Sequence, residues 1–386
     1  MQKRIWNLAL VCLSYVYRLI RGGATVTILS EPRSFIVINP TGNIGDMVCT
    51  TPVFHAIKEK YPTAHLTVVG ASKNGFMMEG NTDIDTYISL NGSLFETVRE
   101  IRKRSYDAGI VINPSTLDFA TLFLSNVKNI SSFVLAPGFT QYEARMYKII
   151  SKLGHRIVYT PGTYVPGQYL TLLSPFNIIS NRIEKHLGYT DEGKKNVIQK
   201  LRDHGIQEHT KLIAIAPGAG TKVKQWPAER FGKVANYLYK KYGLATIIIG
   251  GPRDLPESET MIAAFETGTP YCNCVGQSLD ELKAVLSEVS LIIGNDSGPI
   301  YIAESFGAAT IVLVGPTDET EHPLQDMTHR VVMSTERGEA LLQSGVSAED
   351  TIDIGRARAQ IEAITVEEVC AEIDDVFKNM KIEVKG

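Results

Sequence analysis

The sequence predicts an α/β protein with two Rossmann-like domains, preceded by an amphipathic N-terminal helix. Three observations support this prediction. Short apolar segments alternate with helical patterns of about ten residues or more, as in βαβ units around a parallel sheet. The alternation begins near residue 34 and begins again near residue 211, after a charged stretch. The chain has 386 residues, which is long enough for two domains of ordinary size.

In the first half, three apolar runs are predicted to be parallel strands buried on both faces. They cover residues 35–38, 65–69 and 108–112, and residues 47–60 are predicted to form a helix that ends before Pro62. The pattern is less regular over residues 113–163. We expect loops and shorter helices there, lining a pocket.

The second half repeats the alternation, with Pro227 at the start of its first predicted helix, a position that tolerates proline. The predicted strands cover residues 211–216, 245–249, 291–293 and 310–314, and the predicted helices cover residues 227–242, 279–289, 300–306 and 366–380. The predicted domain organisation is an N-terminal segment 1–33, a first domain 34–180, a charged helical connector 181–210 and a second domain 211–386.

Composition limits the classes of partner and compartment. Lys+Arg total 39 and Asp+Glu total 42, so no basic excess indicates a nucleic-acid partner. The five cysteines are scattered, and Cys272 and Cys274 are too close in sequence for a usual zinc knuckle. We therefore expect free thiols in a reducing compartment, which favours a cytoplasmic location.

The N-terminal segment combines a basic start with an apolar stretch over residues 5–20. With about 16 residues and Arg18 inside it, this stretch is short for a spanning helix, which needs about 20. On a helical wheel, one narrow strip carries its polar residues: Lys3, Asn7, Ser14, Arg18 and Arg21. The pattern suits a helix lying on the inner face of an anionic membrane. A helix packed on the domain, or one that binds a partner protein, fits it as well.

The first predicted strand leads into the turn Gly42-Asn43-Ile44-Gly45, which opens a helix. Glycines let the backbone approach a ligand closely, and a helix N-terminus favours an anion. A third glycine and a P-loop lysine are both missing from the sequence here, so an NAD or Walker-type site is disfavoured. Asp46 follows in the first helical turn. It is either a helix-start acid stabilised by the dipole or a general base held at a rigid turn.

Two turns of the second half also combine polar residues with a strand end. Lys224 follows the loop Pro217-Gly218-Ala219-Gly220 and precedes a helix. A lysine beside free backbone N–H groups forms a phosphate site, although a solvated loop lysine is the alternative. Asp296 and Ser297 occupy the other turn. They either cap the next helix or bind sugar or ribose hydroxyls.

Metal-dependent and serine-based chemistry are both disfavoured. Asp83-Ile84-Asp85 has the Asp-x-Asp form that binds divalent metal in some sugar transferases, but two carboxylates are few ligands for such an ion. The histidines show no metal-ligand spacing, and the sequence has no Gly-x-Ser-x-Gly motif. We therefore predict that no metal is bound.

Three segments together resemble the heptosyltransferases of glycosyltransferase family 9. They are FIVINPTGNIGDMVCTTPVFHAIKEKYPTAHLTVVG, IAPGAGTKVKQWPAERFGKVANYL and LIIGNDSGPIYIAESFGAATIVLVGPTD. The resemblance covers roughly residues 34–70 and 211–320, in the family's order. Each segment contains one of the strand-end turns described above.

The resemblance implies a GT-B fold, with the acceptor bound by the N-terminal domain and the nucleotide-sugar by the C-terminal one, across a cleft. It implies transfer with inversion, without metal or cofactor, from a donor that is typically ADP-heptose to lipopolysaccharide core. Asp46 matches the catalytic base and Lys224 the phosphate-binding lysine, while Gly42, Asn43 and Gly45 match the acceptor or phosphate loop. The positions that match donor-binding residues are Gly218, Gly220, Thr221, Asp254, Asp296, Ser297 and Gly298.

Two features depart from the family pattern. Tyr301 stands where many members have a histidine, so it is expected to contact the donor differently. About 33 residues also precede the first strand. A nucleotide-sugar epimerase of the same fold and a non-catalytic nucleotide-sugar binding protein are the alternatives to a glycosyltransferase.

Overall fold

A computed structural model of the chain describes residues 2–20, 31–90, 93–137, 144–206, 211–344 and 352–382. Two compact units account for them. The described residues up to Ile183, together with Ser344, form the first unit, and those from Glu184 to Gln343 and from 352 onward form the second. Across these ranges, every helix is too short or too polar to cross a bilayer.

The first unit contains a six-stranded parallel sheet. Its strands are β1 Ser34–Asn39, β2 His65–Gly70, β3 Thr86–Ser89, β4 Ala108–Val111, β5 Asn129–Leu135 and β6 His155–Tyr159. Their order across the sheet is β3-β2-β1-β4-β5-β6, which is the strand order of a Rossmann fold. Its centre is fixed by pairs such as Ile38 with Val69 and Ile38 with Val111.

The second unit repeats this arrangement with six more parallel strands. They are β7 Leu212–Ala216, β8 Thr246–Ile248, β9 Tyr271–Asn273, β10 Val289–Asn295, β11 Ala309–Leu313 and β12 His329–Val332. The order β12-β11-β10-β7-β8-β9 is the same Rossmann order when it is counted from the start of the unit. The prediction of two Rossmann-like arrays is therefore confirmed.

Helices connect the strands and cover the sheets. In the first unit they are α1 Gln2–Ile20, α2 Ile44–Val48, α3 Thr51–Lys60, α4 Ser72–Met78, α5 Leu94–Ile101, α6 Thr116–Leu124, α7 Ala144–Ile150 and α8 Val165–Thr171. In the second unit they are α9 Asp191–Asp203, α10 Ala228–Tyr242, α11 Leu255–Ala263, α12 Leu279–Ser287, α13 Gly298–Glu304, α14 Ile354–Glu362 and α15 Val366–Asn379. The central strands are buried on both faces, and all five residues of β7 are buried.

Two local predictions differ from the structure. The helix predicted over 47–60 is two helices, α2 and α3. The chain turns at Cys49 and Thr50, and α3 then begins at Thr51 with Pro52 in its first turn. Residues 113–163, predicted as loops and shorter helices, also supply strands β5 and β6. Small polar residues in β5 hid its strand character, because Ser131 and Ser132 interrupt the apolar run although both are fully buried.

The N-terminal helix α1 packs on α6 and α7 with its polar strip turned toward the domain. Ser14 is fully buried and its hydroxyl donates to the carbonyl of Leu10 at 2.8 Å. Asn7 and Arg18 on the same strip are half-buried, whereas Arg21 lies outside the described residues. As in the packed-helix alternative, the polar side of α1 contacts the domain. The apolar side faces outward.

Candidate functional site

In both sheets the strand order reverses at one central pair, β1 with β4 and β7 with β10. Crevices for ligands in such sheets lie beyond the carboxyl ends of the strands at this reversal. The turns that contain Asp46, Lys224 and Asp296 follow β1, β7 and β10 respectively. Topology thus places each turn chosen from the sequence at the edge of its own sheet where ligands of such folds usually bind.

Asp46 lies in the short helix α2, held from one side. Its Oδ2 accepts hydrogen bonds from the Thr41 hydroxyl at 2.9 Å and from the Asn43 amide at 3.2 Å. Within the described chain, its Oδ1 accepts none. The Thr50 hydroxyl also donates to the Asp46 carbonyl at 2.8 Å, which fixes the backbone below the carboxylate. The arrangement orients a half-buried carboxylate and leaves one oxygen for a ligand.

A buried asparagine secures this turn to the sheet. Asn39, at the end of β1, donates to the Thr50 hydroxyl at 2.8 Å and accepts from the Thr41 N–H at 3.3 Å. Asn113, beyond β4, donates to the same Asn39 oxygen at 3.2 Å. A Cβ added to Gly42 would lie 4.0 Å from Nζ of Lys73, so an ammonium group stands beside the glycine turn. The sequence analysis missed Lys73, because its position in α4 carries no motif.

The second unit brings Lys224 and Asp296 together. The Lys224 Nζ lies 3.3 Å from Oδ2 of Asp296, and their side chains are 26% and 7% exposed. Asn295 joins the same two loops. It donates to the carbonyls of Pro217 at 3.0 Å and Gly218 at 3.1 Å, while its side-chain oxygen accepts the Trp226 N–H at 2.9 Å.

The carboxylate of Asp296 is held in its ionised form. Burial raises the pKa of Asp296, but the Lys224 ammonium, His322 and a hydrogen bond from the Tyr301 hydroxyl outweigh burial and hold that pKa well below its ordinary value. Tyr301 is 3% exposed, and its hydroxyl donates to Oδ1 of Asp296. Tyr301 therefore acts on Asp296 from one turn further along α13.

The loop after β7 has the features of an anion site. In the described part of the chain, the backbone N–H groups of residues 218–221 donate to no other group. The Thr221 hydroxyl oxygen is buried and also has no partner there. Gly220 has open space where a side chain would project. Free donors of this kind, beside Lys224, suit a phosphate.

Asp254 packs directly on Gly218. A Cβ added to Gly218 would overlap the carboxylate of Asp254, so Asp254 or the loop would have to shift to accept a side chain here. The Gly251 N–H donates to Oδ2 of Asp254 at 2.8 Å. Burial raises the pKa of Asp254 above its ordinary value, and the Gly251 hydrogen bond only partly offsets this. Asp254 thus lies at the same loop as the other candidate donor-binding residues.

Ser297 takes the N-cap position of α13 but makes no side-chain cap. Its hydroxyl donates instead to the Asn295 carbonyl at 3.1 Å. Gly298 starts the helix. Neither the Asp296 side chain nor the Ser297 side chain caps α13. A role in ligand binding stays a prediction for both.

Sequence reasoning also missed a buried ion pair behind Tyr301. Lys185 Nζ lies 2.6 Å from Oε2 of Glu304, and both side chains are almost fully buried. The Lys185 ammonium also lies 5.5 Å from the centre of the Tyr301 ring. Tyr301 and Glu304 are three residues apart on one face of α13, a spacing that could have revealed half of this cluster. Lys185, in the region predicted as connector, carries no such signal.

The Asp-x-Asp segment serves contacts within the first unit. Asp83 Oδ2 lies 3.2 Å from His55 Nδ1, while Asp85 Oδ2 accepts from Lys58 at 2.6 Å and from the Leu66 N–H at 2.7 Å. Desolvation opposes ionisation of Asp85, but these hydrogen bonds hold its pKa below the ordinary value. The two carboxylates therefore have different protein partners.

Comparison with known proteins identifies the family. The model of glycosyltransferase family 9 (heptosyltransferase) matches residues 95–348. The chain belongs to this family and is a glycosyltransferase with a GT-B type of fold. The matched residues include the turns of Lys224 and Asp296 but not that of Asp46.

Individual relatives are distant in sequence and close in fold. Lipopolysaccharide heptosyltransferase 3 of Escherichia coli K12 is 24% identical over 290 residues, covering 71% of this chain and 80% of the relative. A family 9 glycosyltransferase of Veillonella parvula superposes with a TM-score of 0.70 at 22% identity, covering 92% and 99% of the two chains. The E. coli ADP-heptose LPS heptosyltransferase II gives 0.66 at 17% identity, covering 90% and 99%.

Proposed function

We propose that this glycosyltransferase moves a heptose from ADP-heptose to the core of lipopolysaccharide, with inversion and without a metal ion. The named relatives support the donor and acceptor class, since their names specify a lipopolysaccharide heptosyltransferase and ADP-heptose. The observation that carries the chemistry is the half-held carboxylate of Asp46, with Oδ2 fixed by Thr41 and Asn43 and Oδ1 open. A rigid carboxylate with one open oxygen is suited to general-base catalysis.

The proposed step is a single displacement. Asp46 takes the proton of an acceptor hydroxyl as that oxygen bonds to C1 of the donor sugar. The bond from C1 to the diphosphate oxygen breaks at the same time, and ADP leaves with the bonding electron pair. Attack from the face opposite the leaving group inverts the anomeric carbon. In this proposal the first unit binds the acceptor near Gly42, Asn43 and Gly45.

The second unit is proposed to bind the donor. Lys224, the free N–H groups of residues 218–221 and the Thr221 hydroxyl stabilise the negative charge that develops on the departing diphosphate. These donors would take the part that a metal ion has in other transferases. Asp254 and Asp296 are proposed to bind ribose or sugar hydroxyls, with Ser297 and Gly298 beside them.

The proposed location is the cytoplasmic side of the inner membrane, with the protein peripheral to it. ADP-sugars are charged and water-soluble, whereas a lipopolysaccharide acceptor is anchored by its lipid. An enzyme that joins the two works at the bilayer surface. The N-terminal helix supplies an extended apolar face that supports this location.

Two measurements test the proposed function. Thermal shifts with ADP, UDP and GDP should favour ADP, because a bound ligand stabilises the protein in proportion to its affinity. Asp46→Asn should lower turnover about a hundredfold or more and leave the ADP shift intact. Asp375→Asn, at a side chain 64% exposed on α15, is the matched control and should retain full turnover.

Near-normal transfer by Asp46→Asn would show that Asp46 is not the base. Incubation with ADP-heptose alone separates the alternatives, since an epimerase would change the sugar without acceptor. A binding protein would shift with ADP and yield no product with any acceptor.

A further inference from the structure

Between residues 6 and 19, the outward side of α1 is apolar. The exposed residues between positions 6 and 19 are Trp6, Leu8, Ala9, Cys12, Leu13, Val16 and Leu19. At about 100° per residue they fall on one arc of roughly 160°. Trp6, Leu8 and Val16 are each about half exposed, and Leu19 is 78% exposed. Large apolar groups in one continuous strip mark an interaction surface.

The helix is fixed so that this strip cannot turn inward. On one side the Tyr15 hydroxyl donates to the Ile149 carbonyl of α7 at 3.1 Å. On the other side the Tyr17 ring packs on Phe123 of α6, with 6.3 Å between ring centres. Leu10, on the inner side, is 2% exposed. The apolar arc is thus a fixed part of the surface of the first unit, with α7 along one edge and α6 along the other.

Cations flank the strip. Residues 144–160 contain four Lys or Arg, and neither this segment nor residues 2–20 contain Asp or Glu. On the α7 side, Arg145, Lys148 and Lys152 are exposed. On the α6 side, the Arg102 guanidinium donates to the Tyr17 hydroxyl at 3.1 Å. An apolar face bordered by cations is complementary to the headgroup region of an anionic bilayer.

The same charges argue against a second copy of the chain as the occupant. In a two-fold contact the same patch meets itself. The flanking cations of both copies would then face each other without acidic partners from these two segments, and such like-charge contacts are unfavourable. Anionic lipid neutralises them instead.

We infer that α1 and α7 form a docking surface for the anionic bilayer, with the axis of α1 in the membrane plane and its apolar arc in contact with the acyl chains. This deepens the proposed function, because it brings the first unit to the surface that carries a lipid-linked acceptor. The apolar side of α1 faces the lipid, as expected for an amphipathic helix lying on a membrane. The polar strip contacts the domain, and α7 supplies cations for the lipid headgroups.

Vesicle binding of the full chain tests this surface. We expect co-sedimentation with vesicles that contain phosphatidylglycerol, weakening as salt rises, and much less with phosphatidylcholine alone. Leu8→Glu combined with Val16→Glu should weaken binding at least about tenfold, because it places charge on the inserted arc. Ile354→Glu, at a residue 62% exposed on α14, is the matched control and should change binding little. Arg145→Gln and Lys148→Gln should each cost about fivefold.

Trp6 provides a direct reading of insertion. The chain has two tryptophans, and the other, Trp226, is 1% exposed. Lipids brominated in their acyl chains should therefore quench Trp6 emission and spare that of Trp226. Unquenched Trp6, vesicle binding unchanged by the double substitution, or a lipid-free dimer that the double substitution dissolves would each overturn the inference.

The test of membrane docking can fail or succeed independently of the test of the proposed function. Asp46→Asn should bind vesicles like the unmodified chain, whereas the double α1 variant should transfer sugar normally to a deacylated, water-soluble acceptor. Loss of transfer to that soluble acceptor in the α1 variant would contradict a role confined to the membrane.

Discussion

The Lys224 ammonium lies 3.3 Å from the Asp296 carboxylate, although 72 residues separate them in the chain. They meet because β7 and β10 are neighbours at the reversal of strand order in the second sheet. A buried carboxylate in this position is costly unless it is paired. Asp296 has a cation on one oxygen and the Tyr301 hydroxyl on the other. The same two partners therefore stabilise this turn and keep the Asp296 carboxylate charged.

The first prediction concerns pH. The pKa of Asp296 lies below its ordinary value in the folded chain, so its contribution to stability is complete above the unfolded pKa near 4 and is lost as pH falls further. Asp296→Asn should lower the free energy of unfolding by about 2 kcal/mol at pH 7. The difference from the unmodified chain should shrink below about pH 4. Urea unfolding of both proteins between pH 7 and pH 3 measures this difference in the free energy of unfolding, with both pH limits given to about one unit. A difference that grew toward low pH would contradict an ionised, paired Asp296.

The second prediction concerns Tyr301. Tyr301→Phe removes the donor to Oδ1 of Asp296 and should cost about 1.5–3 kcal/mol, the range for hydrogen bonds to charged groups. Tyr301→His should recover part of this loss because imidazole can also donate a hydrogen bond. Chemical denaturation and the thermal shift with ADP measure both variants. Equal stability of Tyr301→Phe and the unmodified chain would show that the hydroxyl contributes nothing.

The third prediction compares two glycines of one loop. Gly218→Ala places a methyl group against the Asp254 side chain, so Asp254 or the loop must shift, with a cost of about 1–3 kcal/mol. Gly220→Ala meets no atom within 4 Å and should leave stability almost unchanged. Both should weaken ADP binding if phosphate lies on this backbone. Thermal denaturation with and without ADP separates the two effects. A stable Gly218→Ala protein would rule out the close approach of Asp254.

The fourth prediction concerns the buried pair Lys185 and Glu304. Lys185→Met leaves the Glu304 carboxylate buried without this cation and should cost about 3–5 kcal/mol. Combining it with Glu304→Gln should restore part of the loss, since no charge of the pair then remains buried. A double-mutant cycle by urea denaturation gives the coupling. Additive losses would indicate that the two side chains act independently.

Much of the fold was predictable from local pattern. Apolar runs such as that of β1 and β7 identified the central strands, because strands covered on both faces need apolar residues throughout. β5 escaped prediction because its buried serines break this pattern. β3 and β12, at the sheet edges, are short and only partly buried, so their sequences carry a weaker signal.

By itself the sequence determined the two repeated α/β arrays, the family and the strand-end turns of Asp46, Lys224 and Asp296. Local backbone preference and apolar periodicity specify these features. The tertiary structure alone decided which side chains meet: Lys224 with Asp296, Asp254 with Gly218, and Lys185 with Glu304. It also decided which side of α1 faces outward. Burial depends on the surface against which a helix packs, and that surface is formed by residues distant in the chain.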